Sequence, residues 1–261
     1  LKNTLRKRAL MIKTAVRMAL LSKIVYYEYD KINRILLKMG LKDWYWFDSE
    51  GTQAMIVKTN KELIICFRGT EPTQVADLMA DAKIWRKPAR EKGLVHFGFA
   101  QALDKIYDKI IDQIDRLQTT GLKIICTGHS LGAALATIFA SRVDAKYLYT
   151  FGSPRVGNKD FVKEMNNDKI THYRFVNNND IVTKIPLALI FYRHHGKLVY
   201  INHYGKIRNM TWWQRFKDGI RGRRAAWWNK QPFDGLRDHS IDAYHKKITS
   251  ESFNASLQSK K

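Results

Sequence analysis

Leu5, Ala9, Ile12, Val16, Ala19, Leu20 and Tyr27 recur at helical spacing among basic residues, so the first segment reads as an amphipathic helix with a cationic face. Two β-rich runs follow, Gln53 to Thr59 and Glu62 to Arg68, and the short Asn60-Lys61 connection between them predicts a hairpin. From Gly98 to Gln118 the apolar positions Phe99, Leu103, Ile106, Ile110, Ile114 and Leu117 fall three and four apart, the spacing of a long amphipathic helix. Further runs at Lys146 to Phe151, Thr171 to Val176 and Lys197 to Ile201 read as strands separated by helices or loops. This alternation builds a mostly parallel central sheet with helices on both faces, an α/β fold. No repeat or low-complexity linker divides the chain, so residues 1–261 read as a single domain.

One run carries chemistry in its order. Ile124-Ile125-Cys126-Thr127 is β-prone, Gly128-His129-Ser130-Leu131-Gly132 is a Gly-x-Ser-x-Gly pentapeptide, and Ala133-Ala134-Leu135 begins a helix former's run. Strand, sharp turn and helix make a nucleophile elbow, in which Ser130 is the candidate nucleophile and the Leu131 N–H a candidate oxyanion donor. Such a serine needs a base and an orienting acid. In hydrolases built on an elbow of this kind the chain order is Ser, then acid, then His. Asp180 follows a strand and can reach the sheet edge, although an Asp in an Asn-rich stretch also suits a plain turn. His239 and His245, both near the C-terminus, are rival bases that the residues alone leave open.

Composition adds one anomaly. The formal net charge is +22, and 14 of those charges lie in two short segments. Residues 1–24 hold seven basic residues and no acid; residues 206–230 hold eight against Asp218 alone. A partner with negative charge is implied, either anionic lipid or nucleic acid. Cys66 and Cys126 sit inside apolar runs and read as small buried hydrophobes, with no disulfide framework and no second ligand at metal-binding spacing. No metal and no cofactor is expected. Lys13 and Arg17 interrupt the apolar runs of the N-terminal segment before they reach membrane-spanning length. The expected location is cytoplasmic and peripheral to a membrane, with a removed leader left open because Leu1 is not an initiator methionine.

Beyond the elbow, several further motifs stand in a recognisable order. They are Cys66-Phe67-Arg68-Gly69-Thr70, Val95-His96-Phe97-Gly98-Phe99, Thr150-Phe151-Gly152-Ser153-Pro154-Arg155-Val156-Gly157-Asn158 and Asp180-Ile181-Val182. In this the chain resembles the class 3 (fungal-type) lipases of the α/β-hydrolase superfamily, from about Ala15 to Ile248. The resemblance implies that Asp180 is the catalytic acid, His239 the catalytic base, and Thr70, with Leu131, part of the oxyanion hole. It also implies a serine ester hydrolase acting on glycerolipids through an acyl-enzyme, with phospholipid deacylation or acyl transfer as alternatives on the same residues; a membrane- or nucleic-acid-binding module on a hydrolase scaffold with weak catalysis is the other function class that stays open. Arg68 and His96 match motif positions, and bracing of the loops beside the site is their expected role.

The family carries a lid between Thr70 and His96, so Thr73 to Lys92 is expected to hold a short amphipathic helix, movable or permanently docked. The 206–230 stretch departs from the compact secreted fungal members. Its Trp212-Trp213 and Trp227-Trp228 pairs, set among arginines, suit an anionic bilayer interface. Nucleic-acid stacking, or tryptophans packed against the domain with arginines outward, are the alternatives.

Overall fold

A computed structural model describes residues 2–70, 86–88, 93–117, 121–167, 170–186, 191–228 and 234–258. The sheet expected from the alternating pattern has seven strands. In chain order the strands that build it are β1 (Trp44–Ser49), β2 (Thr52–Lys58), β3 (Glu62–Phe67), β6 (Lys123–His129), β7 (Ala145–Phe151), β8 (Thr171–Asn177) and β9 (Lys197–Ile201), and their spatial order is the same. β1, β2 and β3 are antiparallel neighbours, whereas β3 and β6 to β9 run parallel. Two short strands, β4 (Arg86–Pro88) and β5 (Leu94–His96), form a separate antiparallel pair.

Period-two alternation sends the strand side chains to two cores. On one face Ile65, Phe67, Cys126 and Leu148 pack with helices α3 (Phe97–Arg116), α4 (Leu131–Ala140) and α5 (Lys159–Asn167). On the other, Ile64, Cys66, Ile125, Phe151 and Phe175 meet α1 (Lys2–Ile24), α2 (Tyr29–Lys38) and the C-terminal α8 (Ile241–Gln258). Cys66 and Cys126 therefore lie on neighbouring strands but on opposite faces, so they cannot pair in any compartment. Burial pushes the Cys66 thiol up to about 12, and Cys126 is pushed up as well.

The N-terminal helix is more deeply built in than a free cationic appendage. From Ile12 onward its apolar side is buried against the sheet and α8, and Arg17 pairs with Glu62 at 2.5 Å and Lys23 with Asp242 at 2.6 Å. Its first turns stay exposed, and there Arg8 donates to the Ile207 carbonyl at 3.2 Å, which brings the two basic segments together.

Helix α6 (Trp212–Trp228) is mounted in the reverse of the packed-tryptophan alternative. Its buried residues are Asp218, Gly219, Gly222 and Ala226, while Trp212, Trp213, Trp227 and Trp228 are 60–80% exposed. The cause is close approach: a Cβ on Gly222 would lie 2.3 Å from Asn178 Nδ2, and one on Gly219 2.7 Å from Asn179 Oδ1. Small residues let the helix backbone sit on the loop before Asp180, which leaves the aromatic stripe outward. Most of Thr73 to Lys92 lies outside the described residues; of it only Arg86–Pro88 is described, as strand β4.

Candidate active site

The elbow is where backbone geometry is most constrained. Ser130 has φ 58° and ψ −127°, a left-handed conformation that a non-glycine residue holds only when its surroundings fix it. Those surroundings are tight. A Cβ on Gly128 would stand 2.3 Å from the Gly132 carbonyl oxygen, and one on Gly132 2.2 Å from that of Phe67, so both flanking positions admit only glycine. The turn ends β6, starts α4, and leaves Leu131 as the first helical residue, whose N–H has no acceptor within the helix.

Ser130, Asp180 and His239, distant in sequence, are brought together and fully buried. Ser130 Oγ lies 2.8 Å from His239 Nε2, and His239 Nδ1 lies 2.9 Å and 3.0 Å from the two Asp180 oxygens. A carboxylate accepts only, so Nδ1 carries the imidazole proton and Nε2 is left free to accept from the serine hydroxyl. Asp180 is itself held: Val182 N–H donates to Oδ1 at 2.9 Å and Tyr244 O–H to Oδ2 at 2.6 Å. Burial first, then the Asp180 charge, raises the Tyr244 phenol well above its ordinary value, so it remains a donor.

His129 is a second histidine of the site, and one that reading the elbow for its serine passed over. Its ring lies 4.5 Å from that of His239, its Nε2–H donates to the His239 carbonyl at 2.6 Å, and its Nδ1 accepts from Tyr26 at 2.9 Å. Burial and the nearby His239 lower its pKa well below the usual value, so it stays neutral and acts as a fixed backstop to the imidazole. His245 lies elsewhere. It is half-buried on α8, near Lys23 and Asp242, with no hydrogen bond to Ser130 or Asp180.

Asp180, on the loop after β8, and His239, the last residue of the short helix α7 (Asp234–His239), lie on separate segments that are tied to each other. Asp238, next to His239, accepts from Asn179 N–H at 3.2 Å and from the side-chain amides of Asn177 at 3.2 Å and Asn178 at 3.3 Å. Asn179 in turn donates to the Gly219 carbonyl of α6 at 2.8 Å. Turn-type residues thus carry a structural task here, locking the Asp180 loop to the end of the helix that carries His239 and to α6.

Gly69 packs on the Ser130 side, and Thr70 follows it with a buried Oγ1 that has no hydrogen-bond partner among the described residues. Thr70 and Leu131 line one cavity together. Arg68 braces β2 as expected, donating through its backbone N–H to Gln53 O at 3.0 Å and through Nη1 to Gln53 Oε1 at 2.6 Å. His96 is buried 4.4 Å from the Phe99 ring, and burial lowers its pKa to about 4, which keeps it neutral and structural. No group of His, Cys, Asp or Glu suited to a metal ion occurs among the described residues.

The family model for class 3 lipases matches residues 64–190, a span that includes Ser130 and Asp180. The chain is 33% identical over 145 residues to the secreted mono- and diacylglycerol lipase A of Penicillium cyclopium, covering 52% of this chain and 47% of the relative. To the Rhizomucor miehei lipase it is 30% identical over 165 residues, covering 58% and 45%. The chain thus spans about half the length of the curated relatives it matches. Among solved structures, lipase II from Rhizopus niveus superimposes with a TM-score of 0.62 at 20% identity, over 74% of this chain and 81% of that one, a likeness of fold.

Proposed function

We infer that this chain, which belongs to the class 3 lipase family of the α/β-hydrolase superfamily, is a serine ester hydrolase that cleaves acyl esters of glycerolipids. The observation that carries this reading is the buried chain of hydrogen bonds from Ser130 through His239 to Asp180 at a strained elbow. As Ser130 Oγ attacks the ester carbonyl, His239 Nε2 takes its proton and Asp180 stabilises the imidazolium that forms. The N–H groups of Leu131 and Thr70 stabilise the oxyanion, with the Thr70 hydroxyl as a third donor; one such donor is typically worth about 3 kcal/mol in the transition state. Collapse expels the alcohol, protonated by His239, and leaves an acyl-enzyme. Water activated by the same imidazole then releases the fatty acid. Purified protein is expected to release fatty acid from short-chain acylglycerols, and failure to hydrolyse any acyl ester would overturn the reading.

The enzyme works on an anionic lipid surface, docked through α6 and the first turns of α1. Exposed Trp212, Trp213, Trp227 and Trp228 beside exposed Lys217, Arg221, Arg223 and Arg224 combine interfacial aromatics with cations on one helix. Among the described residues no helix is long and apolar enough to cross a membrane. A cytoplasmic, peripherally bound enzyme follows from this docking, because anionic lipids give the cytoplasmic leaflet its negative surface potential. Vesicles containing phosphatidylglycerol are expected to sediment the protein, neutral vesicles to do so poorly, and added salt to release part of it. Replacing the four α6 tryptophans with Ala should weaken vesicle binding by about tenfold and affect a soluble short ester less. Equal binding to neutral and anionic vesicles would contradict this surface, as would tighter binding to DNA at matched salt.

A further inference from the structure

Beside the elbow, on the hairpin side, lies a cavity of about 330 Å³. Its walls include Leu131 and Leu135 from α4 and two glycines, and the other side chains are polar: Tyr26, Thr52, Gln53, Arg68 and Thr70. An acyl chain placed here would strip water from the Arg68 N–H groups that have no protein acceptor among the described residues, which costs free energy. The lining instead favours a polar occupant. Arg68 supplies its charge. One of its N–H groups is spent on Gln53 Oε1, its guanidinium carbon lies 5.7 Å from the centre of the Tyr26 ring, and no carboxylate lies within ion-pair distance of it among the described residues. The other end of Gln53 donates to Asp48 at 2.5 Å, so both ends of that amide are in use and the exposed Asp48 reaches Arg68 only through it. Arg68 donors are therefore left over on the cavity wall, beside the Thr70 hydroxyl assigned to the oxyanion.

We propose that this cavity is a headgroup subsite that receives the phosphate of an anionic glycerophospholipid while its ester lies at Ser130. The planar guanidinium of Arg68 offers the paired N–H geometry that phosphate oxygens accept. Thr70 and Leu131 line both this cavity and the expected oxyanion position, so the occupant is a part of the same substrate molecule. The size suits a headgroup, being near the small end of the roughly 300–1,000 Å³ typical of ligand pockets. A net charge of +22 draws the same class of substrate to the protein. The bond chemistry is unchanged: water adds across the acyl–oxygen bond, releasing a fatty acid and a lysophospholipid with its phosphodiester intact.

This proposal rests on the hydrolase reading, and the test separates the two. Water-soluble dihexanoylphosphatidylglycerol and dihexanoylglycerol, both kept below their aggregation limits, remove any contribution from surface docking. Wild-type protein is expected to prefer the phospholipid by about tenfold in kcat/KM, chiefly through KM. In Arg68→Gln that ratio should fall to about one, and Arg68→Lys, which keeps the charge, should restore part of it. Folding of both variants is checked by circular dichroism, and the wild-type ratio stands whether or not they fold. Hydrolysis without preference for the phospholipid overturns the subsite alone, as does a preference that a folded Arg68→Gln variant retains. Absence of hydrolysis of both substrates and of a short activated ester overturns the hydrolase reading and the subsite together.

Discussion

Ser130→Ala is expected to lower kcat for a short activated ester by about 10⁴- to 10⁶-fold while leaving the fold intact. The side-chain oxygen is the only atom removed, and it makes one described hydrogen bond, to His239 Nε2 at 2.8 Å. Alanine keeps the Cβ, so the positive φ of 58° neither gains nor loses strain. Without Oγ no acyl-enzyme forms, and what survives is the part that oxyanion donors and binding supply to direct attack by water. Steady-state kinetics with matching circular dichroism checks this, and retention of more than a few per cent of activity would remove Ser130 from the mechanism.

His239→Ala should be nearly as damaging, because serine and base act as one unit. Neither neighbouring histidine can take over. His129 faces the His239 carbonyl through Nε2 and Tyr26 through Nδ1, so both its nitrogens are committed, and His245 bonds to neither Ser130 nor Asp180. The variant also leaves the fully buried Asp180 with Val182 N–H and Tyr244 O–H as its partners, so thermal stability should fall as well. His245→Ala is expected to retain activity within about threefold, as a substitution away from buried networks does. Kinetics of the pair, with melting temperatures, reads both effects; the reverse ranking would move the base to His245.

How legible the site was depended on whether its parts are contiguous. The elbow is one unbroken strand, turn and helix, so Ser130 could be read from twelve neighbouring residues whose periodicity changes at the serine. Asp180 sits on a loop and His239 at the end of a short helix, and their approach depends on tertiary packing, so only the resemblance to a family selects them. Nothing in the sequence marks Tyr244 or His129 as part of the site. Tyr244 looks like one more apolar position of a terminal helix, and its role arises because α8 turns the hydroxyl onto Asp180. Elements α2 and β1 leave little trace in the sequence for a similar reason: α2 is short, burying only Ile32 and Leu36, and β1 is an edge strand without clean alternation between buried and exposed positions. The aromatic stripe of α6 misled the packing alternative because size suggested burial, whereas the glycines on the opposite side decide which face meets the protein.

The central claim is that Ser130 is the nucleophile activated by His239, and covalent capture tests it most directly. Reaction with a fluorophosphonate ester, followed by intact mass and peptide mapping, should give one adduct per chain, on Ser130, with none on Ser130→Ala and much slower formation on His239→Ala. An adduct on any other residue, or no adduct in a protein that still hydrolyses esters, would contradict the account.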